Sequence, residues 1–289
     1  MSVKANKEYI LQSALTAGFV RSRILSPFPA EKAGLNQHIS YSLLMTALPY
    51  AVTEIPAPPP GFAEIARFAR AHYYREAVLR LKNIARLIRT AFGGEKSDYR
   101  IFCNSICLDE RESAVLCGLG ARGKHGLIIT PEAGSWVILA SMTLPFELAA
   151  DPPLSSLPYP FCTSCPAESP PCAVSCPTGA VCANGKITVK MCIQWYASGH
   201  GINPPAAVCN NWGQRLYGCD ECQRYCPHNQ HHVPGVETAL GIVPCLIPAG
   251  EILSASDDEL KRRFKGTALG FSWLTPAVLR ASAQIVRGY

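Results

Sequence analysis

The chain has 289 residues, 48% of them hydrophobic, enough to bury one large core or two domains. It contains no apolar run of about 20 residues, which argues for a globular, soluble protein rather than a membrane-spanning one. The formal charge of +6, from 27 basic and 21 acidic side chains, does not by itself argue for a nucleic-acid partner.

In chain order, residues 7–17 carry apolar groups at helical spacing and stop at Gly18, a residue suited to closing a helix. Residues 20–25 and 42–50 read as strands. Residues 56–60 hold four prolines and predict a turn or linker, and 63–92 predict a long helix with Arg and Lys on its polar side, ended by Gly93 and Gly94. Strands at 99–102, 126–130 and 135–144 and a helix at 109–117 complete an alternating pattern, so residues 1–150 are expected to form one α/β layered domain. Pro145, Pro152, Pro153, Pro158 and Pro160 mark a boundary before a cysteine-rich module over 151–235. A module of that size buries little apolar surface and must be held together by what its cysteines bind. Residues 236–289 predict a helix with Asp257, Asp258 and Glu259 in its first turn, and another at 276–286.

Seven of the fourteen cysteines fall in two runs, Cys162-x2-Cys165-x6-Cys172-x3-Cys176-Pro177 and Cys219-x2-Cys222-x3-Cys226-Pro227. Both look like iron-sulfur loops. A 4Fe-4S cube takes four thiolates, and where two cubes are bound the cysteine before Pro in each run crosses to the other cube. Two cubes need eight ligands. Cys182, Cys192 and Cys209 could each supply the eighth, and spacing alone leaves the choice open. Asn184-Gly185 predicts a two-residue hairpin turn flanked by Cys182 and Cys192.

Two Cys-x2-Cys pairs could instead hold zinc, but zinc sites seldom add cysteines at x3 followed by Pro. Disulfides are not expected, because residues 2–7 form no apolar leader and clustered Cys-x2-Cys is not a secreted framework. That places the chain in a reducing cytoplasm. Counting eight thiolates and two oxidised cubes lowers the charge to about +2, so bulk charge says little about nucleic acid. Cys103, Cys107, Cys117, Cys245 and the two unused members of the trio are expected to be small buried hydrophobes. His200, His228, His231 and His232 read as surface or loop residues.

Gly118-Leu119-Gly120-Ala121-Arg122-Gly123 matches GxGxxG, and Gly118 to Lys124 nearly matches GxxxxGK. A phosphate-binding fingerprint follows a strand and opens a helix. Here a predicted helix precedes the glycines and a strand follows, and His125 stands where a P-loop needs Ser or Thr. The motif is therefore read as a glycine corner that lets the backbone approach a large flat ligand.

Leu44-Met45-Thr46-Ala47-Leu48-Pro49-Tyr50, Ala66-Arg67-Phe68-Ala69, the glycine corner with Lys124, Pro131-Glu132-Ala133-Gly134-Ser135-Trp136, Tyr217-Gly218-Cys219-Asp220-Glu221-Cys222-Gln223 with Cys226-Pro227 and Asn229, and Phe264-Lys265-Gly266-Thr267-Ala268-Leu269 together carry a resemblance to a known family. With these runs the chain resembles the epoxyqueuosine reductase family, cobalamin-dependent enzymes with two 4Fe-4S clusters that complete the queuosine modification in tRNA. The resemblance covers nearly the whole chain, and the YGCDxCQ run is its most specific part. It implies that Cys192, sixteen positions after Cys176, is the eighth ligand. One cluster would then take Cys162, Cys165, Cys172 and Cys226, and the other Cys176, Cys192, Cys219 and Cys222. It also implies a corrinoid between the first domain and the cluster module, with Gly118, Gly120, Gly123, Lys124, Gly134, Ser135 and Trp136 as candidates for contact. No Asp-x-His-x-x-Gly motif is present, so no axial cobalt ligand is named.

Three departures accompany the resemblance. Six residues separate Cys165 from Cys172 where the family usually has two. Most of the C-terminal helical repeats with which longer relatives hold tRNA are missing. The family's Val-Asp-Ser segment, whose Asp serves as proton donor, reads Cys103-Asn104-Ser105, although Glu110-Arg111 match. An amide cannot release a proton near neutral pH, so Asn104 in the catalytic position predicts poor reduction of epoxyqueuosine in tRNA.

The expected fold is α+β: an N-terminal α/β layered domain of corrinoid-binding type (1–150), a bacterial-ferredoxin-like double 4Fe-4S module (151–235) and a short C-terminal helical segment (236–289). The expected function is that of a reductase passing electrons from two 4Fe-4S clusters to a cobalamin cobalt and then to a small molecule or modified nucleoside, with tRNA a further candidate. A ferredoxin or flavodoxin would supply low-potential electrons, and no membrane is involved. The alternatives are a ferredoxin-like electron-transfer protein without corrinoid and a zinc-stabilised nucleic-acid module.

Overall fold

The structure is a computed structural model that describes residues 6–29, 31, 34–35, 37–50, 54, 57–201, 203–230, 233–270 and 273–287. Its fold is mixed α and β. Helix α1 (Lys7–Thr16) is capped by the Asn6 side chain and ends at Ala17, before Gly18 at φ +86. Strand β1 (Arg21–Phe28) runs three residues past its expected end. Strand β2 (Tyr41–Pro49) pairs antiparallel with β1 on one side and with β7 (Val137–Leu144) on the other, from Ser42 opposite Leu144 to Pro49 opposite Val137. Two-residue β4 (Ile101–Phe102) completes the sheet order β1-β2-β7-β4.

Alternation along β2 decides what covers each face. Leu44 and Leu48 pack with Ile24, Ile138 and Met142 against Ile10 of α1 and against Leu81, Ile84 and Ile88 of α2 (Tyr73–Phe92). Leu43, Met45 and Ala47 face the other way, onto Ala114 of α3 (Glu110–Leu116), Leu119 and Ile128. With helices on both sides, all of β2 is buried, which accounts for its unbroken apolar run.

The expected helix over 63–92 is shorter, because its first turns belong elsewhere. Phe62–Ile65 is strand β3, Arg67–Ala69 is a 3-10 turn, and α2 starts only at Tyr73. Strand β3 lies between β8 (Arg215–Tyr217), to which it is parallel, and β9 (Leu246–Pro248), to which it is antiparallel. Its partners lie some 150 residues away or more, so no local periodicity reports them. Residues from 1–150, 151–235 and 236–289 thus share one sheet, and Ala63 and Ile65 are buried with Trp212, Leu216, Ile247 and Leu279.

The remaining strands are also shorter than expected. Ile128–Ile129 forms β6, paired with β5 (Ala121–Arg122). Between residues 160 and 230 regular structure comes in single turns: α4 (Pro171–Val174), α5 (Ile193–Ala197), α6 (Ala206–Cys209) and α7 (Glu221–Arg224). The Asn184-Gly185 hairpin forms, with Val181 bridged to Ile187, but its loop has three residues rather than two. Cys182 N–H bonds Lys186 O, Gly185 N–H bonds Cys182 O, and Gly185 takes the positive φ of +86.

The C-terminal residues hold the two expected helices, and the structure adds strand β9 and helix α8 (Ala249–Ser254) ahead of them. The expected pair are α9 (Asp257–Arg263) and α10 (Pro276–Arg287). Ser256 and Glu259 cap α9 reciprocally, and its charges run acidic to basic along the helix dipole. Among the described residues no helix is long and apolar enough to cross a membrane.

Candidate functional site

Eight cysteines form two quartets, and each quartet is assembled from distant parts of the chain. Cys162 and Cys165 sit on and just after the 3-10 turn Pro160–Ser164, and Cys172 sits on α4. Cys226, at the start of another 3-10 turn, packs against Cys162 and Ile129. Burial first, then the charges of Cys172, Cys162 and Cys165, push the Cys226 thiol up to about 11. Cys165 and Cys172 are raised in the same way, by burial and then by their neighbours in this group.

The second quartet joins Cys176, Cys192, Cys219 and Cys222. Burial and the charges of Cys219, Cys192 and Cys176 hold Cys222 well above the ordinary thiol range. Cys192, the N-cap of α5, is raised by burial and by Cys176. Burial pushes Cys219 up to about 12, and the guanidinium of Arg215 opposes that rise. Cys182 contacts Thr188, and Cys209 contacts the Pro204 carbonyl.

The thiols raised in this way stay protonated unless a cation among them favours the thiolate form, and thiolates are the form that binds metal. Among the described residues no three His, Cys, Asp or Glu side chains converge closely enough to hold a single ion. Sulfurs around one zinc lie about 2.3 Å from it, whereas a cube of iron and sulfide holds them wider apart.

The motif around the second cysteine run clamps this module to the rest. Asn229 Oδ1 accepts from Ser135 N (2.7 Å), and its Nδ2 donates to Gln223 O (2.8 Å) and Ser135 Oγ (2.9 Å). Gln223 Nε2 donates to Ser135 O (2.8 Å) and Tyr50 OH (3.1 Å). Asp220 accepts from the Arg67 backbone (2.8 Å), and the fully buried Arg67 guanidinium lies 5.1 Å from the Trp136 ring centroid. These polar partners were not foreseen, because the sequence shows the residues but not their pairing across more than eighty positions.

The seven candidates for corrinoid contact have protein neighbours of their own. A Cβ at Gly118 would meet the Pro152 carbonyl, one at Gly120 would meet Ile128 and Ile129, and one at Gly134 would meet Asn229 and His228. Ser135 and Trp136 belong to the clamp and are buried. Gly123 packs closely on His125, while Lys124 N–H donates to Cys162 Sγ (3.4 Å), joining the glycine corner to the first quartet.

At this corner the Nε2 of His125 has no partner among the described residues. The residue is 6% exposed, and burial, then His228 and Arg111, lower its pKa to about 4. Its Nδ1 accepts from Leu127 N (3.2 Å), so the neutral ring carries its proton on Nε2. The signal of His125 in the sequence was only that it breaks a P-loop. Of the other histidines, His228 bonds the Phe161 carbonyl and His200 stacks on Trp195, while His231 and His232 lie outside the described residues.

Across from this corner the Asn104 loop leaves β4. Asn104 is exposed, with φ +55. Beneath it Glu110 Oε1 accepts from Ser105 N (3.4 Å). The charge of Arg111, which follows Glu110, reaches both His125 and the partly buried Tyr74.

No family profile matches the chain. A curated relative from Synechococcus sp., named epoxyqueuosine reductase, is 30% identical over 234 residues, 79% of this chain and 68% of that protein. Another of that name, from Vibrio cholerae, is 34% identical over 172 residues, 59% of this chain and 44% of that protein. The chain thus spans less than half the length of the Vibrio relative. Among solved structures, epoxyqueuosine reductase from Bacillus subtilis aligns with a TM-score of 0.74 at 21% identity, over 97% of this chain and 80% of that one. An epoxyqueuosine reductase crystallised with an epoxyqueuosine-modified tRNA-Tyr stem loop aligns equally well, with a TM-score of 0.74 at 23% identity over the same shares. These alignments establish the likeness of fold across nearly the whole chain.

Proposed function

The chain belongs to the epoxyqueuosine reductase family, and from that premise we propose that it is an iron-sulfur, corrinoid-dependent reductase that removes oxygen from a small molecule or modified nucleoside. The observation that carries this reading is the composition of the quartets. Each Cys-Pro cysteine leaves its own run and joins the other, as a ferredoxin-like module with two clusters requires. In this reading Cys162, Cys165, Cys172 and Cys226 hold one 4Fe-4S cluster, and Cys176, Cys192, Cys219 and Cys222 hold the second.

When bound, the clusters supply one-electron transfer and the corrinoid supplies a strongly reducing cobalt centre. The chain's own residues prepare the space beside them. The Nε2–H of His125 offers a buried donor to an acceptor such as the amide rim of a corrin. The clamp of Asn229, Gln223 and Asp220 keeps the cluster module in register with the sheet, so donor and acceptor groups stay a fixed distance apart. Tyr74, Phe68, Tyr217 and Trp273 form an aromatic chain, with Trp273 Nε1 donating to Tyr217 OH (3.2 Å). A low-potential carrier such as a ferredoxin or flavodoxin supplies the electrons.

Anaerobically purified and reconstituted protein should contain about eight irons and eight acid-labile sulfides per chain. It should bind cob(II)alamin stoichiometrically, with a changed EPR spectrum. Absence of binding at tens of micromolar by equilibrium dialysis leaves an electron carrier in place of a reductase, and zinc without iron rejects both.

A further inference from the structure

We infer that Glu110 is the acid of this site, supplying the proton that Asn104 cannot. The inference rests on reading the chain as a reductase that removes oxygen. The amide of Asn104 has hydrogens to share and none to release. Six residues further on, the Glu110 carboxylate lies directly under the Asn104 loop and accepts backbone hydrogen bonds from it, the Ser105 N–H at 3.4 Å among them. A carboxyl therefore stands against the backbone of the very residue whose side chain has lost one.

The surroundings of Glu110 suit an acid that works near neutral pH. The side chain is half-buried at the first turn of α3, with Asp109 and Arg111 beside it in sequence, Cys103 across the loop and Tyr74 on α2. Burial pushes its carboxyl up to about 7, against the opposing pull of the Asn104 and Ser105 amides and of Arg111, while Asp109 adds to the rise. Both forms are then populated at neutral pH, so the group can give up a proton and regain one from water. Burial holds the Tyr74 hydroxyl and the Cys103 thiol well above their ordinary ranges, which makes both far weaker acids than Glu110 at neutral pH.

The chemistry balances with one such group. Taking an epoxide oxygen from carbon consumes two electrons and two protons, breaks both carbon-oxygen bonds, restores the carbon-carbon double bond and releases water. The electrons come from the low-potential one-electron carrier. The first proton passes from the Glu110 carboxyl to the departing oxygen and leaves the carboxylate, and the second comes from solvent.

The test uses reconstituted, cobalamin-loaded protein, chemically reduced, in single turnovers with an epoxyqueuosine-bearing tRNA stem loop as probe. The wild-type rate should fall as pH rises through about 7, the value at which Glu110 loses its proton. Glu110→Gln should slow the reaction by ~10² or more and remove that pH dependence. Adding Asn104→Asp to Glu110→Gln should recover much of the loss. A second reading needs no substrate: the infrared carbonyl band of a protonated carboxylic acid should be present in the wild type below pH 7 and missing in Glu110→Gln. A Glu110→Gln rate and pH profile equal to wild type, or no such band, overturns the role of Glu110. Turnover in Asn104→Asp but not in wild type also overturns it, while leaving the reductase reading intact. No turnover in any variant rules out epoxyqueuosine as the substrate, and the proton-donor role of Glu110 with it.

Discussion

In the four-stranded sheet, β2 is buried along its whole length and α2 lays five buried residues, Tyr73, Ala77, Leu81, Ile84 and Ile88, against one face. Between residues 160 and 230 the longest regular α-helix described has five residues, and the cysteines themselves account for part of the buried side chains. The first region is ordered by apolar packing that the chain supplies. The second is built of turns too short to hold themselves, and in the proposed reading a bound group bridges its residues across long stretches of sequence. The difference shows which parts of the molecule will survive loss of that group.

Stripping the metal is the strongest way to break the comparison. Hydrogen exchange on protein treated with chelator under oxidising conditions should show residues 160–230 losing protection, since metal binding in small metal-held folds contributes on the order of 10 kcal/mol. Strands β2 and β7 and helix α2 should keep theirs. Equal loss in both regions would mean that they fold as one unit.

Single ligands give a smaller effect. Cys226→Ser and Cys192→Ser should each lose about half the iron, from opposite clusters. Cys182→Ser and Cys209→Ser should retain all of it. Retention in Cys192→Ser with loss in either of the other two would reassign the eighth ligand.

Leu44→Ala sharpens the comparison from the other side. It opens a cavity between the sheet and α1/α2, and should cost about 2–5 kcal/mol in denaturant unfolding. Iron content should stay unchanged at low denaturant. Loss of iron without denaturant would show that the clusters lean on the sheet more than the clamp at Asn229 and Gln223 implies.

What could be read from the sequence follows the same division. Where local signals decide structure they were legible: the apolar run of β2, Gly18 after α1, the acidic first turn of α9 and the Asn-Gly hairpin all stand in the expected places. Strand β3 was hidden inside an expected helix because Ala63 and Ile65 are as apolar as a helix face would be, and only pairing with β8 and β9 makes them a strand. The cysteine runs stood out because spacing and Pro carry chemistry, and the proposal of Cys192 as an eighth ligand came from the family resemblance. Glu110 and His125 were visible as letters, but their meaning depends on burial and on an unpaired N–H, which arise only after folding.

With the ligand sets proposed above, the exchange of Cys176 and Cys226 between the two runs also sets a timetable for synthesis. A ribosome that has released residues up to 220 has delivered Cys162, Cys165 and Cys172 toward one group and Cys176, Cys192 and Cys219 toward the other. Neither set is complete, and six thiols wait with no fourth partner. Cys222 closes one set and Cys226 the other, four residues apart. The two sites therefore become loadable almost together and late, after the sheet has emerged. A nascent chain stalled before residue 222 is the form most open to capture by the wrong metal.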